Sequence, residues 1–153
     1  MERKEQNKIK SILSDLCYFY GLKAKFTITE EENLIRINIE VPDGTFLVGE
    51  DGYNLISLER LVRIIWHKQT GKRDRIKLDV NNYRQERQQY LQDLALSTAE
   101  KVSAENRLVI LRPMNAYERR LVHLALADDP RVATESLGED YERRVIVKPQ
   151  NKK

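Results

Sequence analysis

Between Leu34 and Val41 the chain reads LIRINIEV, with Ile35, Ile37, Ile39 and Val41 on alternate positions. A strand repeats every two residues, so this run has one face to bury and one that meets water. A sheet of that kind needs a cover, and helical spacing on both sides of the run supplies one. Upstream, Ile9, Ile12, Leu13, Leu16 and Tyr20 recur at three- and four-residue intervals, predicting a helix over about 3–21 that Gly21 ends. Phe26 and Ile28 in KFTIT mark a strand before LIRINIEV. The polar link Glu30-Glu31-Glu32-Asn33 predicts an antiparallel hairpin, with Asn33 suited to a left-handed turn. Pro42 ends the second strand.

A short apolar stretch, Thr45-Phe46-Leu47-Val48, then runs into Gly49-Glu50-Asp51-Gly52. A helix is predicted over about 53–69, with Leu55, Leu58, Leu61, Val62 and Ile65 inward and Arg60, Arg63 and His67 on the opposite face. Trp66 falls at the edge of the inward stripe, where packing is favoured over base stacking. After the Thr70-Gly71-Lys72-Arg73 loop, RIKLDV alternates with Ile76, Leu78 and Val80 inward. The order α-β-β-(short α)-GxxG-α-β describes an α+β unit, one sheet with helices on one face.

A second unit follows Asn81-Asn82. It opens with a helix over about 83–104 whose inward side carries Tyr83, Tyr90, Leu91, Leu94, Ala95, Thr98 and Val102. Arg107–Leu111 is a nearly continuous apolar strand, expected to be covered on both faces and broken by Pro113. Asn115 and Glu118 have the spacing of a capping box that opens a helix to about Ala127, with Tyr117, Leu121, Leu124 and Ala125 inward. Asp128-Asp129-Pro130 stops it. Residues 131–136 and 142–148 read as a hairpin around Leu137-Gly138-Glu139-Asp140. The expected domains are 1–81 and 82–149, with a disordered tail at 150–153.

Composition narrows the class. Of 153 residues, 41% are hydrophobic and 33% charged, which suits a folded, water-soluble chain and excludes collagen-like or mucin-like ones. No apolar run approaches the roughly 20 residues that span a bilayer, and the start MERKEQNK is not a signal peptide. Cys17 is the only cysteine, which excludes an internal disulfide framework and a Cys-based zinc site and places the chain in a reducing cytoplasm. The net charge of +3 hides a division. Residues 26–59 hold eight acids against one base, Arg36, and residues 60–77 hold seven bases against one acid, Asp74. The basic block is either a phosphate-attracting surface or a solvated helix face and loop.

Two constellations carry chemical information. In Gly49-Glu50-Asp51-Gly52 the glycines allow a sharp turn and close approach of backbone to a ligand, and the helix that follows offers unpaired N–H groups to a phosphate. In Arg119-x-x-x-His123 the spacing of four puts guanidinium and imidazole on one helix face beside Ala116 and Arg120, an arrangement suited to a phosphate oxygen or a stacked base. The bland reading of the second pairs Arg119 with a nearby acid and leaves His123 to cap a surface pocket.

The first unit resembles a type II KH domain, whose GxxG loop clamps about four single-stranded nucleotides. The stretch NAYERRLVHLALADDPRVATES, with Gly138 and ERRVIV, resembles an R3H domain. A KH unit joined through DVNNYRQER to an R3H unit is similar to the C-terminal two-thirds of the bacterial Jag (SpoIIIJ-associated) family. The resemblance runs from about residue 5 to residue 148 and implies a cytoplasmic RNA-binding protein linked to cell elongation and envelope synthesis. Many members carry a further Jag-N domain. This chain starts at the KH unit, so that function is expected to be absent or supplied elsewhere.

One departure bears on the mechanism. KH loops that clamp RNA usually carry Lys or Arg between the glycines, where this chain has Glu50 and Asp51. A carboxylate about 5 Å from a phosphate opposes binding by roughly 0.8–3 kcal/mol, against a helix-dipole gain of about 0.3–1 kcal/mol. The expected contacts are therefore Arg119, His123, Arg120 and Arg112 in the R3H unit, and Arg60, Arg63, His67, Lys72 and Arg73 in the KH unit. Gly49, Gly52 and the stacking candidate Tyr53 complete the set. The expected partner is single-stranded RNA, or single-stranded DNA. The alternative is a protein-interaction adaptor that homodimerises or pairs with another KH protein. No cofactor, metal site or catalytic group is implied: Cys17 has no orienting partners, the two histidines lie in separate units, and no G-x-x-x-x-G-K-[ST] loop is present.

Overall fold

The computed structural model describes residues 3–31 and 34–150. The expected turn at Glu32-Asn33 and residues 151–153 of the expected tail lie outside them. Two compact units, Met1–Arg84 and Gln85–Lys153, divide the chain.

The first unit runs α1 (Arg3–Phe19), β1 (Lys25–Glu31), β2 (Leu34–Glu40), α2 (Thr45–Val48), a 3-10 turn at Glu50–Gly52, α3 (Tyr53–Thr70) and β3 (Arg75–Val80). Strands β1 and β2 form the expected antiparallel pair, and β3 joins β2 in parallel. A parallel neighbour requires a crossover, which α2 and α3 supply. In that register Ile35, Ile37 and Ile39 stand opposite Ile76, Leu78 and Val80. All six are buried in one cluster with Ile9, Ile12 and Leu13 of α1 and Leu55, Val62 and Trp66 of α3.

Several side chains depart from the periodic reading. Tyr20 lies beyond the end of α1, where Gly21 at φ +68 lets the Leu22 N–H reach back to the Cys17 carbonyl at 2.8 Å. It is exposed, and its ring meets Phe46 at 5.0 Å between centroids. Leu61, expected inward, is also exposed, and Glu59 takes an inward place on α3 instead. Trp66 is wholly buried, and its Nε1 donates to Asp74 Oδ2 at 2.9 Å. Packing, not stacking on a base, is its role.

The second unit contains α4 (Tyr83–Glu105), β4 (Val109–Pro113), α5 (Ala116–Ala125), β5 (Val132–Leu137), a 3-10 turn at Asp140–Glu142 and β6 (Arg144–Pro149). The division between units falls in the first turn of α4. Tyr83 there packs on the first core, whereas Leu91, Ala95, Ala99 and Val102 belong to the second. Tyr90, expected inward, is exposed, and the Arg87 guanidinium lies 5.4 Å from its ring centroid. The sheet order is β4-β6-β5, all antiparallel. Leu111, Val132, Val145 and Val147 pack with Val122 and Leu126.

Here β4 is an edge strand with one covered face. Leu111 is buried while Leu108 and Ile110 are exposed, contrary to the expectation of cover on both faces. Helices lie over a three-stranded antiparallel sheet on one side only, so an apolar run does not guarantee two covered faces. Pro113 does not break the strand but ends it, after a register shift between Ile110 and Pro113. Gln150, placed in the expected tail, donates its N–H to the Arg131 carbonyl at 2.9 Å.

Candidate nucleic-acid interface

The start of α5 is set by the capping box expected from sequence. Asn115 Oδ1 accepts from the Glu118 N–H at 3.1 Å, and Glu118 Oε2 accepts from the Asn115 N–H at 3.1 Å. The same carboxylate is buried, and its Oε1 accepts from Arg87 Nε of α4 at 2.8 Å. Glu118 thereby turns its own side of α5 inward, and the buried stripe becomes Glu118, Val122 and Leu126, with Leu121 and Ala125 half-buried. Tyr117 and Leu124, expected inward, are 62% and 60% exposed.

That rotation presents Arg119, Arg120 and His123 to an open cavity of about 410 Å³, completed by Ser136 of β5 over a floor of Ala116, Leu124 and Ala127. No carboxylate lines it. Arg119 is held by a carbonyl and not by an acid: its Nη1 donates to the Met114 oxygen at 2.9 Å. The full guanidinium charge therefore remains available, and neither Arg119 nor Arg120 takes part in an ion pair among the described residues. The expectation that Arg119 and His123 share a face holds, while the acid partner of the bland reading is replaced by backbone.

His123 is tied to β5 at both ring nitrogens, Nδ1 at 2.7 Å from Thr134 Oγ1 and Nε2 at 2.9 Å from Ser136 Oγ. Partial burial, then the Arg119 charge, hold its pKa below the usual 6.5, so the ring is neutral at pH 7. Arg112 is exposed on β4 and is not among the residues lining the cavity.

In the first unit Gly49 adopts φ 70, ψ −178, a conformation open essentially only to glycine, and a Cβ there would lie 2.5 Å from Asn54 Cγ. Asn54 in turn donates from Nδ2 to the Phe46 carbonyl at 2.8 Å, tying α3 to α2. Gly52 has φ 80, and its Cβ would meet the Tyr83 ring at 2.9 Å. Both glycines are thus demanded by the turn itself. Glu50 and Asp51 stand at the start of α3, which has no side-chain cap on its first N–H groups. Tyr53 is exposed in the first turn.

The basic block is dispersed. Arg63 and Lys77 both reach Glu59 Oε1, at 3.1 and 3.5 Å, and Lys72 pairs with Glu5. His67 Nδ1 lies 3.0 Å from the Lys72 carbonyl, and since a carbonyl only accepts, Nδ1 carries the proton. Among the described residues Arg60, Lys68, Arg73 and Arg75 are exposed without an ion pair. The GxxG turn and the Lys72-Arg73 loop lie at opposite ends of α3, which at about 1.5 Å per residue is about 27 Å long. They do not form one cluster. Sequence reasoning missed Thr134 and Ser136, which share one face of β5 by their spacing of two, and Glu59, an acid at a helix position that periodicity assigns to no role.

Among the described residues no group of three or more His, Cys, Asp or Glu side chains could hold a metal ion, and no helix is long and apolar enough to cross a membrane. Fold and site together define a mixed α+β protein whose second unit is an R3H domain, the family matched by residues 89–149. The relatives extend the likeness into the first unit. A Clostridium symbiosum protein named RNA-binding protein KhpB is 40% identical over 126 residues, covering 82% of this chain and 56% of that protein. Proteins of the same name from Lactiplantibacillus plantarum and Bacillus subtilis are 32% and 28% identical over 127 residues each. Those alignments cover 83% and 82% of this chain, and 39% and 61% of the relatives. The chain thus carries an R3H domain, is similar to these KhpB proteins over most of its own length, and spans about half the length of the curated relatives it matches.

Proposed function

We propose that this chain is a non-enzymatic RNA-binding protein that takes a single strand at the Arg119–Arg120 cavity of its R3H domain. The observation that carries this reading is a cavity with two guanidinium groups and no carboxylate, over an apolar floor on which a base or sugar can rest. The name shared by the relatives supports it. The test is binding of a single-stranded RNA at two ionic strengths, for wild type and for Arg119→Ala/Arg120→Ala. Affinity should fall steeply with salt, and the double variant should lose affinity and flatten the logarithmic salt slope by about 0.7 for each phosphate contact removed. No binding at low salt, or an unchanged slope in the variant, refutes it. A single-stranded DNA of the same sequence belongs beside the RNA, because phosphate contacts and stacking serve both.

The first unit is read as a type II KH domain, supported by its element order and by the GxxG turn between α2 and α3. Its exposed bases Arg60, Lys68, Arg73 and Arg75 add long-range attraction, while Glu50 and Asp51 oppose a phosphate at the turn. Two contact sites on one chain raise the effective concentration of a strand at the second once the first is occupied. A cytoplasmic post-transcriptional regulator or RNA chaperone, acting in cell elongation and envelope control, is the setting that the family resemblance supports.

A specific observation favours a second role for the same unit. Tyr18 and Phe19 at the end of α1 are 87% and 82% exposed, and Phe46 and Ile64 are exposed as well. The rings of Phe19, Tyr20 and Phe46 adjoin one another, at 5.5 and 5.0 Å between successive centroids. A contiguous exposed apolar patch of this kind marks a contact surface, which fits a homodimer or pairing with another KH protein. Sedimentation of wild type and Phe19→Asp/Phe46→Asp tests it: a monomer in both proteins, with or without an added KH protein, overturns that role.

A further inference from the structure

We infer that Thr134, His123 and Ser136 form a directional hydroxyl–imidazole–hydroxyl relay that aims the Ser136 O–H into the Arg119–Arg120 cavity, making Ser136 a ligand-contacting residue and Thr134 its positioning residue. The inference rests on the RNA-binding reading for the identity of the ligand, but not for the relay itself.

Geometry comes first. Thr134 and Ser136 are two residues apart on β5, so they share a face, and the imidazole lies between their hydroxyls at 2.7 and 2.9 Å. Glu135, on the other face, is engaged with Lys148 at 2.8 Å, so it does not supply the imidazole with a carboxylate. Of the two hydroxyls only that of Ser136 lines the cavity.

Proton counting sets the direction. A neutral imidazole has one N–H and one bare nitrogen. Arg119 and Arg120 select an anionic oxygen, which can only accept. Ser136 can donate to that oxygen only if its own O–H is not spent on His123, so it must accept from Nε2–H. Nδ1 is then the bare nitrogen, and Thr134 Oγ1–H donates to it. Every bond in the chain Thr134, His123, Ser136, ligand oxygen then runs the same way, and aligned hydrogen bonds polarise one another. The imidazole in this scheme orients a donor and is not itself the cation that meets the phosphate. The opposite tautomer would consume the Ser136 proton and leave a lone pair facing the incoming anion.

The experiment uses the full chain, with His123 resonances assigned by comparison with His67→Gln. Imidazole nitrogen NMR at neutral pH should show His123 protonated at Nε2 and bare at Nδ1; the reverse assignment overturns the relay. Ser136→Ala should weaken binding of a single-stranded RNA roughly tenfold. Thr134→Val, which removes a hydroxyl outside the cavity, should weaken it several-fold and mix the His123 tautomers. Thr134→Ser and Ser136→Thr should restore wild-type behaviour, and a backbone amide spectrum checks that each variant is folded. Equal RNA affinity in wild type and a folded Ser136→Ala overturns the contact role while leaving RNA binding intact. If wild type binds no RNA, inorganic phosphate is the probe: loss of its shifts at Arg119 and Arg120 in Ser136→Ala sustains the relay although the RNA reading has failed, and shifts unchanged by the substitution overturn it.

Discussion

Arg84 and Glu59 meet at 2.8 Å across the free edge of β3, and each takes one of the two backbone groups of Leu78. Glu59 Oε2 accepts the Leu78 N–H at 3.1 Å, while Arg84 Nε donates to the Leu78 carbonyl at 2.9 Å. The pair does for β3 what a neighbouring strand would do, and an edge closed in this way is a poor template for pairing with another chain. Glu59 is buried, and Arg63 and Lys77 also reach it, so one acid gathers three bases near the sheet edge.

Replacing Glu59 with Gln keeps an acceptor for Leu78 but removes the charge that three cations share. Because those cations are half-exposed and can return to water, the cost should be about 1–3 kcal/mol, the range of charge-assisted hydrogen bonds. Urea denaturation checks it. A loss below about 0.5 kcal/mol, the range of ordinary surface substitutions, would show that the carboxylate is dispensable.

Gly49 and Gly21 make a controlled comparison. Both have positive φ, but a Cβ at Gly21 meets nothing within 4 Å, whereas one at Gly49 meets the Asn54 side chain at 2.5 Å. Gly21→Ala should cost about 1–2 kcal/mol, the price of left-handed backbone. Gly49→Ala should cost more, because both backbone conformation and space oppose it. Equal melting temperatures for the two variants would contradict this reading of the turn.

Reversing the charges between the glycines tests what the turn meets. If it approaches a nucleic-acid strand, Glu50→Lys/Asp51→Lys should tighten RNA binding, each replaced carboxylate having opposed a phosphate by about 0.8–3 kcal/mol at about 5 Å. If it faces a basic protein partner, RNA affinity should stay within a factor of two while that complex weakens. Titration with both ligands separates the outcomes.

Acid should destabilise the second unit through His123. Its folded pKa lies below 6.5, so between the unfolded and folded values the unfolded chain binds more protons. Stability then rises with pH across that window and is lost as pH falls below about 6.5. Thermal melts from pH 7.5 downward should show this decline, and His123→Gln should flatten it. An unchanged slope in the variant would assign the decline to other groups.

Removing the cap at α5 is a local test of a motif read from sequence alone. Asn115→Ala deletes the acceptor for the Glu118 N–H and should cost about 1 kcal/mol. Since α5 carries Arg119 and Arg120, RNA affinity should fall with it when measured near the melting transition, and hardly at all well below it.

The order of helices and strands, the antiparallel hairpin and the capping box were all legible in the sequence, whereas the parallel pairing of β3 with β2 came from the structure. Periods of 2 and 3.6, turn residues and caps are properties of a few neighbouring residues, and they act before any tertiary contact exists. The pairing of Arg119 with His123 was legible for the same reason, because a spacing of four defines a helix face. Rotation of a helix about its own axis was not. Tyr117 and Leu124 looked like core, yet the buried ion pair of Glu118 with Arg87 of α4 turned them outward. Likewise, a block of seven bases in residues 60–77 read as one positive surface, but folding brought Arg63 and Lys77 to Glu59 and Lys72 to Glu5. Thr134 and Ser136 met His123 only once β5 had packed beside α5. Local spacing determines which residues can share a face; the partners waiting on the other side of that face, often distant in sequence, decide which charges are neutralised and which groups remain to meet a ligand.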